Sequence, residues 1–214
     1  MPETLWCAPD IHMAAIDDDI VILDLAGDQY CCLLHATGIQ NITGDGAIVA
    51  RDAVTARELQ ALDLARPHPP DGQRSTIIPP CRELPIASSP PPKAVLHAFM
   101  ALALAALAFR GKDLADLVRH DASAGGVRRD ASPDDLSILV GAARRARPWI
   151  PFEGECLQRT FQLRSLLARR GVAADWIFGV RTWPFSAHCW LQIDDLVIGD
   201  RLERVRRYTP IMRA

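Results

Sequence analysis

The sequence has few lysines, no CxxC pair, no nucleotide-binding glycine motif and no apolar run of membrane-spanning length. Its net charge is only −2, so nothing global points to nucleic acid or to an anionic membrane as partner. Lys93 and Lys112 are the only lysines; the basic charge is otherwise arginine, which reads as compositional bias before function. Six cysteines without CxxC spacing exclude zinc-ribbon and thioredoxin readings, and no metal set is assigned. Neither GxxxxGK[ST] nor GxGxxG occurs, so no cofactor is expected and no nucleotide site is assigned. The longest apolar stretch, Ala94 to Phe109, contains His97 and falls short of the about 20 residues of a bilayer span. A buried core helix is expected there, with membrane contact as the lesser reading. Pro2, Glu3 and Asp10 interrupt any apolar opening run, so no signal peptide is expected. Reduced cysteines and a cytoplasmic location are the corresponding expectations.

What is present suffices for a packed core: 214 residues, 49% of them hydrophobic, make one large domain or two small ones. Ile20–Leu25 reads as a strand, Ala26-Gly27-Asp28 as a turn, and Gln29–Leu34 as the returning strand of a hairpin. An earlier strand is read at Leu5–Ala8, and Thr37–Ile42 as a short helix before the Gly44-Asp45-Gly46 break. Thr55-Ala-Arg-Glu58 has the form of a capping box, with Val54 and Leu59 as its staple, and predicts a helix from Ala56 to about Ala65. From Arg66 to Pro92 nine prolines crowd the chain, which predicts a linker with short extended pieces such as Ser75–Ile78. Helices follow at Lys93–Arg110 and Asp113–His120. Gly125-Gly126 marks a loop, and Ser132-Pro133 opens a third helix running to about Arg147. The arginine pairs Arg128-Arg129, Arg144-Arg145 and Arg206-Arg207 read as solvated faces.

The last third carries the chemistry. A helix from Cys156 to Arg170 is closed by Gly171, and Cys156, Thr160, Leu163 and Leu167 share one of its faces. A cysteine at a helix start is where a thiolate is favoured. Val172–Val180, Ala187–Ile193 and Leu196–Asp200 read as three strands, the second presenting His188 and the third Asp200. A thiol needs a base to become a thiolate, and the base needs a group to hold its ring. Cys156, His188 and Asp200 stand in those roles. This order, a cysteine helix packed on a sheet bearing histidine and then aspartate, is the layout of papain-like and transglutaminase-like enzymes.

The resemblance goes further in Cys156-Leu-Gln-Arg-Thr-Phe-Gln-Leu-Arg-Ser-Leu-Leu-Ala-Arg-Arg-Gly, in Phe178-Gly-Val-Arg-Thr-Trp-Pro-Phe-Ser-Ala-His-Cys-Trp190 and in Val197-Ile-Gly-Asp200. Over roughly residues 150–210 the chain resembles the B protein of lasso-peptide biosynthesis, of the fused type. That family is a transglutaminase-like cysteine protease, and its catalytic residues match Cys156, His188 and Asp200. The resemblance implies cleavage of the leader from a ribosomally made precursor peptide. It also implies a partner, an ATP-dependent asparagine-synthetase-like cyclase that closes the macrolactam; any ATP requirement belongs to that partner. Fused members carry an N-terminal leader-recognition module similar to peptide-binding winged-helix domains. That module has three helices after its strands, whereas this chain has room for one before the prolines.

The expected fold is thus α+β. Residues 1–65 form a small hairpin or winged-helix-like module, residues 66–92 the linker, and residues 93–214 a protease domain with helices packed on an antiparallel sheet. Leu23, Leu25 and Tyr30 are candidate leader contacts on the hairpin. Arg181, Thr182, Trp183 and Phe185, in the loop before His188, are candidates for the substrate groove. Trp190 shares the face of His188 and is a candidate substrate contact that walls the site, with packing beside the sheet as the alternative. Gln158 is a candidate second oxyanion donor beside the Cys156 amide. Cys189 reads as core, and His12, His35, His68, His97 and His120 receive no catalytic task. Strand register adds a condition. A two-residue turn at Asp194-Asp195 would set Asp200 opposite Cys189, so a three-residue loop or a bulge is expected. Transglutaminase or amidase acyl transfer on the same triad, and a non-catalytic peptide-binding chaperone, are the alternative readings.

Overall fold

The structure, a computed structural model, describes residues 1–70, 74, 76–122, 131–150 and 154–214. The expected Gly125-Gly126 loop, the Arg128-Arg129 pair and Ser75 lie outside them. The chain forms two compact units. One is Met1–Ile77 with Gly179–Ala187 and Thr209–Arg213; the other is Ile78–Phe178, His188–Tyr208 and Ala214.

The first unit opens with strands β1 (Glu3–Cys7), β2 (Ile11–Ile16), β3 (Asp19–Asp24), β4 (Gln29–Leu33), β5 (Ile39–Ile42) and β6 (Ala47–Ala50), then helix α1 (Ala53–Ala61) and strand β7 (Ala65–Arg66). Strands β2, β3 and β4 make an antiparallel meander in which Ile22 pairs with both Met13 and Cys31. A second sheet has the order β5-β6-β1-β7. Ile20 and Ile22 meet Leu5, Cys7, Ile48, Ala50, Ala56 and Leu59 in one apolar core.

Two local expectations are corrected here. The stretch read as a helix at Thr37–Ile42 is strand β5, paired antiparallel with β6. The Gly44-Asp45-Gly46 break is a hairpin turn, closed by Thr43 and Ala47, with Gly46 at φ 86. The α1 cap is also not the threonine box. Asp52 caps the helix, its carboxylate accepting from the amides of Val54 and Thr55 at 3.0 and 2.9 Å. Thr55 is left inside the first turn and Val54 is 60% exposed, so no staple forms. The helix ends at Ala61 in a Schellman arrangement: Leu64 N donates to Leu59 O and Asp63 N to Gln60 O, with Asp63 at φ 55.

The second unit holds strand β8 (Arg82–Glu83) and helices α2 (Pro92–Phe109), α3 (Leu114–Ala122), α4 (Pro133–Ala146) and α5 (Cys156–Ala168). After them come strands β9 (Asp175–Arg181), β10 (Ser186–Ile193) and β11 (Leu196–Ile198), helix α6 (Leu202–Val205) and the final strand β12 (Thr209–Arg213), which counts with the first unit. Strands β9, β10, β11 and β8 lie side by side in that order. The prolines do not leave the whole of 66–92 without structure. Residues 81–84 lie between Pro80 and Pro85, keep their amides, and run parallel to β11. Cys81 N and Leu84 N donate to Asp195 O and Val197 O, and the Arg82 guanidinium is salt-bridged to Asp195.

Ser132 caps α4 through the amide of Asp135, as its pairing with Pro133 predicts. Helix α2 packs on α4 and α5 through Ala98, Ala101, Leu102, Ala105 and Ala106. Leu96, Met100, Leu104 and Leu107 on its other face are exposed, so the expected core helix is buried on one side only. By length and composition α2 could cross a membrane, and only 28% of it is buried inside the protein. In β9 the residues Trp176 to Val180 are all buried, as in a strand covered on both faces.

Candidate active site

Cys156 is the first residue of α5 and is half-buried. The N-cap residue Glu155 makes no side-chain capping bond at this helix start, where the aligned peptide dipoles favour negative charge. The preceding Gly154 is needed for packing: a Cβ there would sit 1.9 Å from Gln158 Oε1. The carbonyl oxygen of Gln158, the candidate oxyanion donor, therefore lies against the Gly154 backbone.

His188 is supplied by β10 and is buried. Its ring contacts two aromatics. Trp190 stacks beside it at a centroid distance of 6.2 Å, and Tyr208 approaches at 5.1 Å. Trp190 is itself fully buried and donates its indole N–H to Gln192 Oε1. His188 Nε2 meets Asp200 Oδ2 at 2.6 Å, while Asp200 Oδ1 accepts from the amide of Arg201 at 2.7 Å. Both carboxylate oxygens are thus engaged. Because Nε2 faces the carboxylate, Nδ1 is the nitrogen left for the thiol, and His188 does hydrogen-bond the Cys156 side chain.

The expected odd loop is not there. Ile193 pairs with Leu196, and Leu191 with Ile198, across a two-residue turn whose first residue, Asp194, has φ 51. Extending that register would put Asp200 opposite Cys189. The ladder stops at Ile198 instead, and Gly199 turns the chain out of the strand with φ 76. A Cβ on Gly199 would approach Leu163 Cδ2 to 2.6 Å. Asp200 is therefore aimed by a glycine bend, not by strand pairing.

The thiol of Cys156 has a second set of contacts. The side chain and the backbone N–H of Cys189 both hydrogen-bond it. Thr160, one turn on in α5, donates to the carbonyl of Cys156 at 2.7 Å and lies 3.1 Å from Cys189 Sγ. Trp176 Nε1 donates to the same hydroxyl at 3.0 Å. Hydrogen bonds from Cys189 and His188 and the imidazole's charge outweigh burial and pull the Cys156 thiol down to about 4. Burial disfavours charge on His188, but hydrogen bonds to Asp200 and Cys156 raise it above its ordinary value. Burial also opposes the Asp200 charge, yet bonds from His188 and the Arg201 amide hold its carboxyl below the usual range. The bond to Cys156, together with burial, drives the Cys189 thiol strongly upward, so Cys189 keeps its proton.

The remaining candidates lie in the first unit. Leu23 and Leu25 are buried, Leu23 in the central strand β3, so their side chains are closed to a peptide. Tyr30 on β4 packs its ring against Phe185 at 5.6 Å. Trp183 is 65% exposed, and its indole N–H donates to Asp19 Oδ2 at 3.0 Å. Arg181 and Thr182 are half-buried beside it. Sequence reasoning did not single out Gly199, Tyr208 or the polar contacts of Cys189. Thr160 was legible only as a neighbour of Cys156 on one helix face. Among the described residues no group of three or more His, Cys, Asp or Glu is arranged to hold a metal.

Residues 99–213 match the family model described as the transglutaminase-like superfamily. A segment of 49 residues is 37% identical to the microcin J25-processing protein McjB of Escherichia coli. That match covers 23% of this chain and 24% of the relative's length. No solved structure matches.

Proposed function

The chain belongs to the transglutaminase-like superfamily, and we propose that within it the protein is a cysteine peptidase that removes the leader from a lasso precursor peptide. The observation that carries this reading is the hydrogen-bonded series Cys156–His188–Asp200, with the thiol held low and the imidazole held high. The local similarity to a microcin-processing protein supports the substrate class.

In the proposed reaction Asp200 keeps a proton on Nε2 of His188, and Nδ1 takes the proton of Cys156. The thiolate attacks the carbonyl at the leader–core junction. The backbone N–H of Cys156, at the start of α5, is the expected donor to the oxyanion. His188 then protonates the departing amine, and water releases the leader from the thioester. The freed amine is the core N-terminus, on which an asparagine-synthetase-like cyclase builds the macrolactam. No step uses a cofactor bound to this chain.

The first unit would bind the leader. Strand β4 stands at the end of its sheet, and a peptide could add there by main-chain pairing beside Tyr30 and the exposed Leu33. Leader affinity should then fall in Tyr30→Ala.

The test is leader release followed by mass spectrometry, with a lasso precursor, the partner cyclase and ATP present. Wild type should yield free leader acid, and Cys156→Ala should yield none. Equal release by the two would end the peptidase reading and leave a non-catalytic binding protein. Leader conjugated to an added amine, in place of free acid, would establish acyl transfer instead.

A further inference from the structure

Glu83 is bound on both sides of the bend that aims Asp200. Before the bend, Glu83 pairs with Val197 in the parallel ladder of β8 and β11, and the next amide, Leu84 N, donates to Val197 O at 3.0 Å. After the bend, Glu83 Oε2 accepts from the amide of Leu202 at 2.8 Å. Between Val197 and Leu202 lie only Ile198, Gly199, Asp200 and Arg201. One residue of the proline-rich stretch thus closes the loop that carries Asp200. Leu202 opens α6, where the first amides have no partner within the helix, and the N-cap residue Arg201 makes no side-chain capping bond. The acceptor comes from strand β8 instead. At its other end α6 leads into Tyr208, whose N donates to Val205 O at 3.0 Å and whose ring meets His188 at 5.1 Å. A second tie runs from Arg206 Nε to Pro80 O at 3.3 Å.

We propose that Glu83 is a positioning residue: by joining β8 to the first amide of α6, it fixes the turn that holds Asp200 against His188. The inference rests on Asp200 orienting His188 in the proposed reaction. The ladder does not fix this turn by itself. Strand β11 ends at Ile198, so Asp200 lies beyond the last paired residue. Gly199, at φ 76, is the residue type with the widest choice of backbone conformations. The 2.6 Å contact of Asp200 Oδ2 with His188 Nε2 nevertheless needs the carboxylate in one place. The amide of Arg201 is bound to Asp200 Oδ1 within the turn, so the bond from Leu202 to Glu83 is what ties the turn to a neighbouring strand. Hydrogen bonds to a carboxylate are roughly twice as strong as those between neutral groups. Glu83 acts through Asp200 and not on substrate.

The test is the titration of the His188 ring by NMR in the full-length protein carrying Cys156→Ala, so that no thiol titrates at residue 156. The His188 signals are assigned by their loss in His188→Gln. The measurement needs neither precursor nor cyclase, so its failure is distinguishable from failure of the leader-peptidase reading. Asp200→Asn sets the full fall of the His188 midpoint, expected to be about one pH unit or more. Glu83→Ala should lower the midpoint by about half of that fall or more. Glu83→Gln, which loses the charge and keeps an acceptor oxygen, should stay near the parent. Leu202→Pro removes the donor instead. Proline fits the first helical position, and the extended Arg201 before it, at ψ 132, suits a residue preceding proline. It should reproduce the fall seen in Glu83→Ala, and it decides in the same way should Glu83→Ala not fold. An unmoved midpoint in either variant overturns the proposal and leaves Glu83 as a surface cap. Equal falls in Glu83→Ala and Glu83→Gln overturn it too, since charge alone would then act. An Asp200→Asn midpoint equal to the parent's overturns the pairing of His188 with Asp200, and the role of Glu83 with it.

Discussion

His188 Nε2 and Asp200 Oδ2 lie 2.6 Å apart across a hairpin whose two-residue turn, extended in register, would set Cys189 opposite Asp200. The pair meets because β11 stops at Ile198 and Gly199 bends the chain. The condition that Asp200 needs an odd loop assumed a strand reaching residue 200, and the strand is two residues shorter.

Asp200→Asn keeps the shape of the residue and loses its charge. Leader cleavage should fall by about two to four powers of ten in kcat, since the amide no longer holds the imidazole tautomer or stabilises imidazolium. Stability should show the same coupling. The Asp200 contribution is present above its ordinary 3.8 and is lost as pH falls through its depressed folded value. The His188 contribution is present below its ordinary 6.5 and is lost as pH rises through its raised folded value. Thermal melts of wild type and variant should therefore differ most between those limits. A constant difference from pH 3 to pH 9 would count against the pair.

The pH profile of kcat/KM should be a bell. Activity requires the Cys156 thiolate, present above about 4, and the protonated His188, which is lost above its ordinary 6.5. The acid limb should thus lie far below an ordinary thiol, and the alkaline limb should lie above 6.5. A single limb rising near pH 9 would mean that the thiol is not activated.

Gly199→Ala combines a left-handed backbone with a Cβ 2.6 Å from Leu163 Cδ2. A loss of about 1–3 kcal/mol in urea unfolding is expected. Cleavage should suffer more than stability accounts for, because the bend aims Asp200. Full activity in a folded Gly199→Ala protein would show that the bend is dispensable.

For α1, Asp52→Ala should lower the melting temperature by about 2–4 °C, because two first-turn amides lose their acceptor. Thr55→Ala should do less, since Thr55 is inside the helix. The reverse ranking would restore the threonine as the cap.

Local signals carried much of the architecture. The Ser132-Pro133 start predicted α4, and the apolar stretch after the prolines predicted α2. They failed where two local rules competed. Asp52 and Thr55 both have capping chemistry, and the one set back by three residues reaches both amides. Gly44-Asp45-Gly46 ends a helix as readily as it turns a hairpin, and only pairing with β6 makes Ile39–Ile42 a strand. Arg82-Glu83 carries no periodic signal. It is a strand because β11 offers carbonyls to its amides.

For the site, the sequence by itself supplied the candidate residues. It contains a cysteine at a helix start, then a histidine and an aspartate, and residue type and order fit the proposed roles of nucleophile, base and orienter. Tertiary structure alone decided the geometry: the bend at Gly199, the stacking of Trp190 beside His188 and the tilted approach of Tyr208 to the same ring. The contacts of His188 with Asp200 and Tyr208 join residues 12 and 20 positions apart. Period-based reading along one strand assumes that the strand continues. Here it ends at Ile198, and the aspartate is aimed by the glycine that follows.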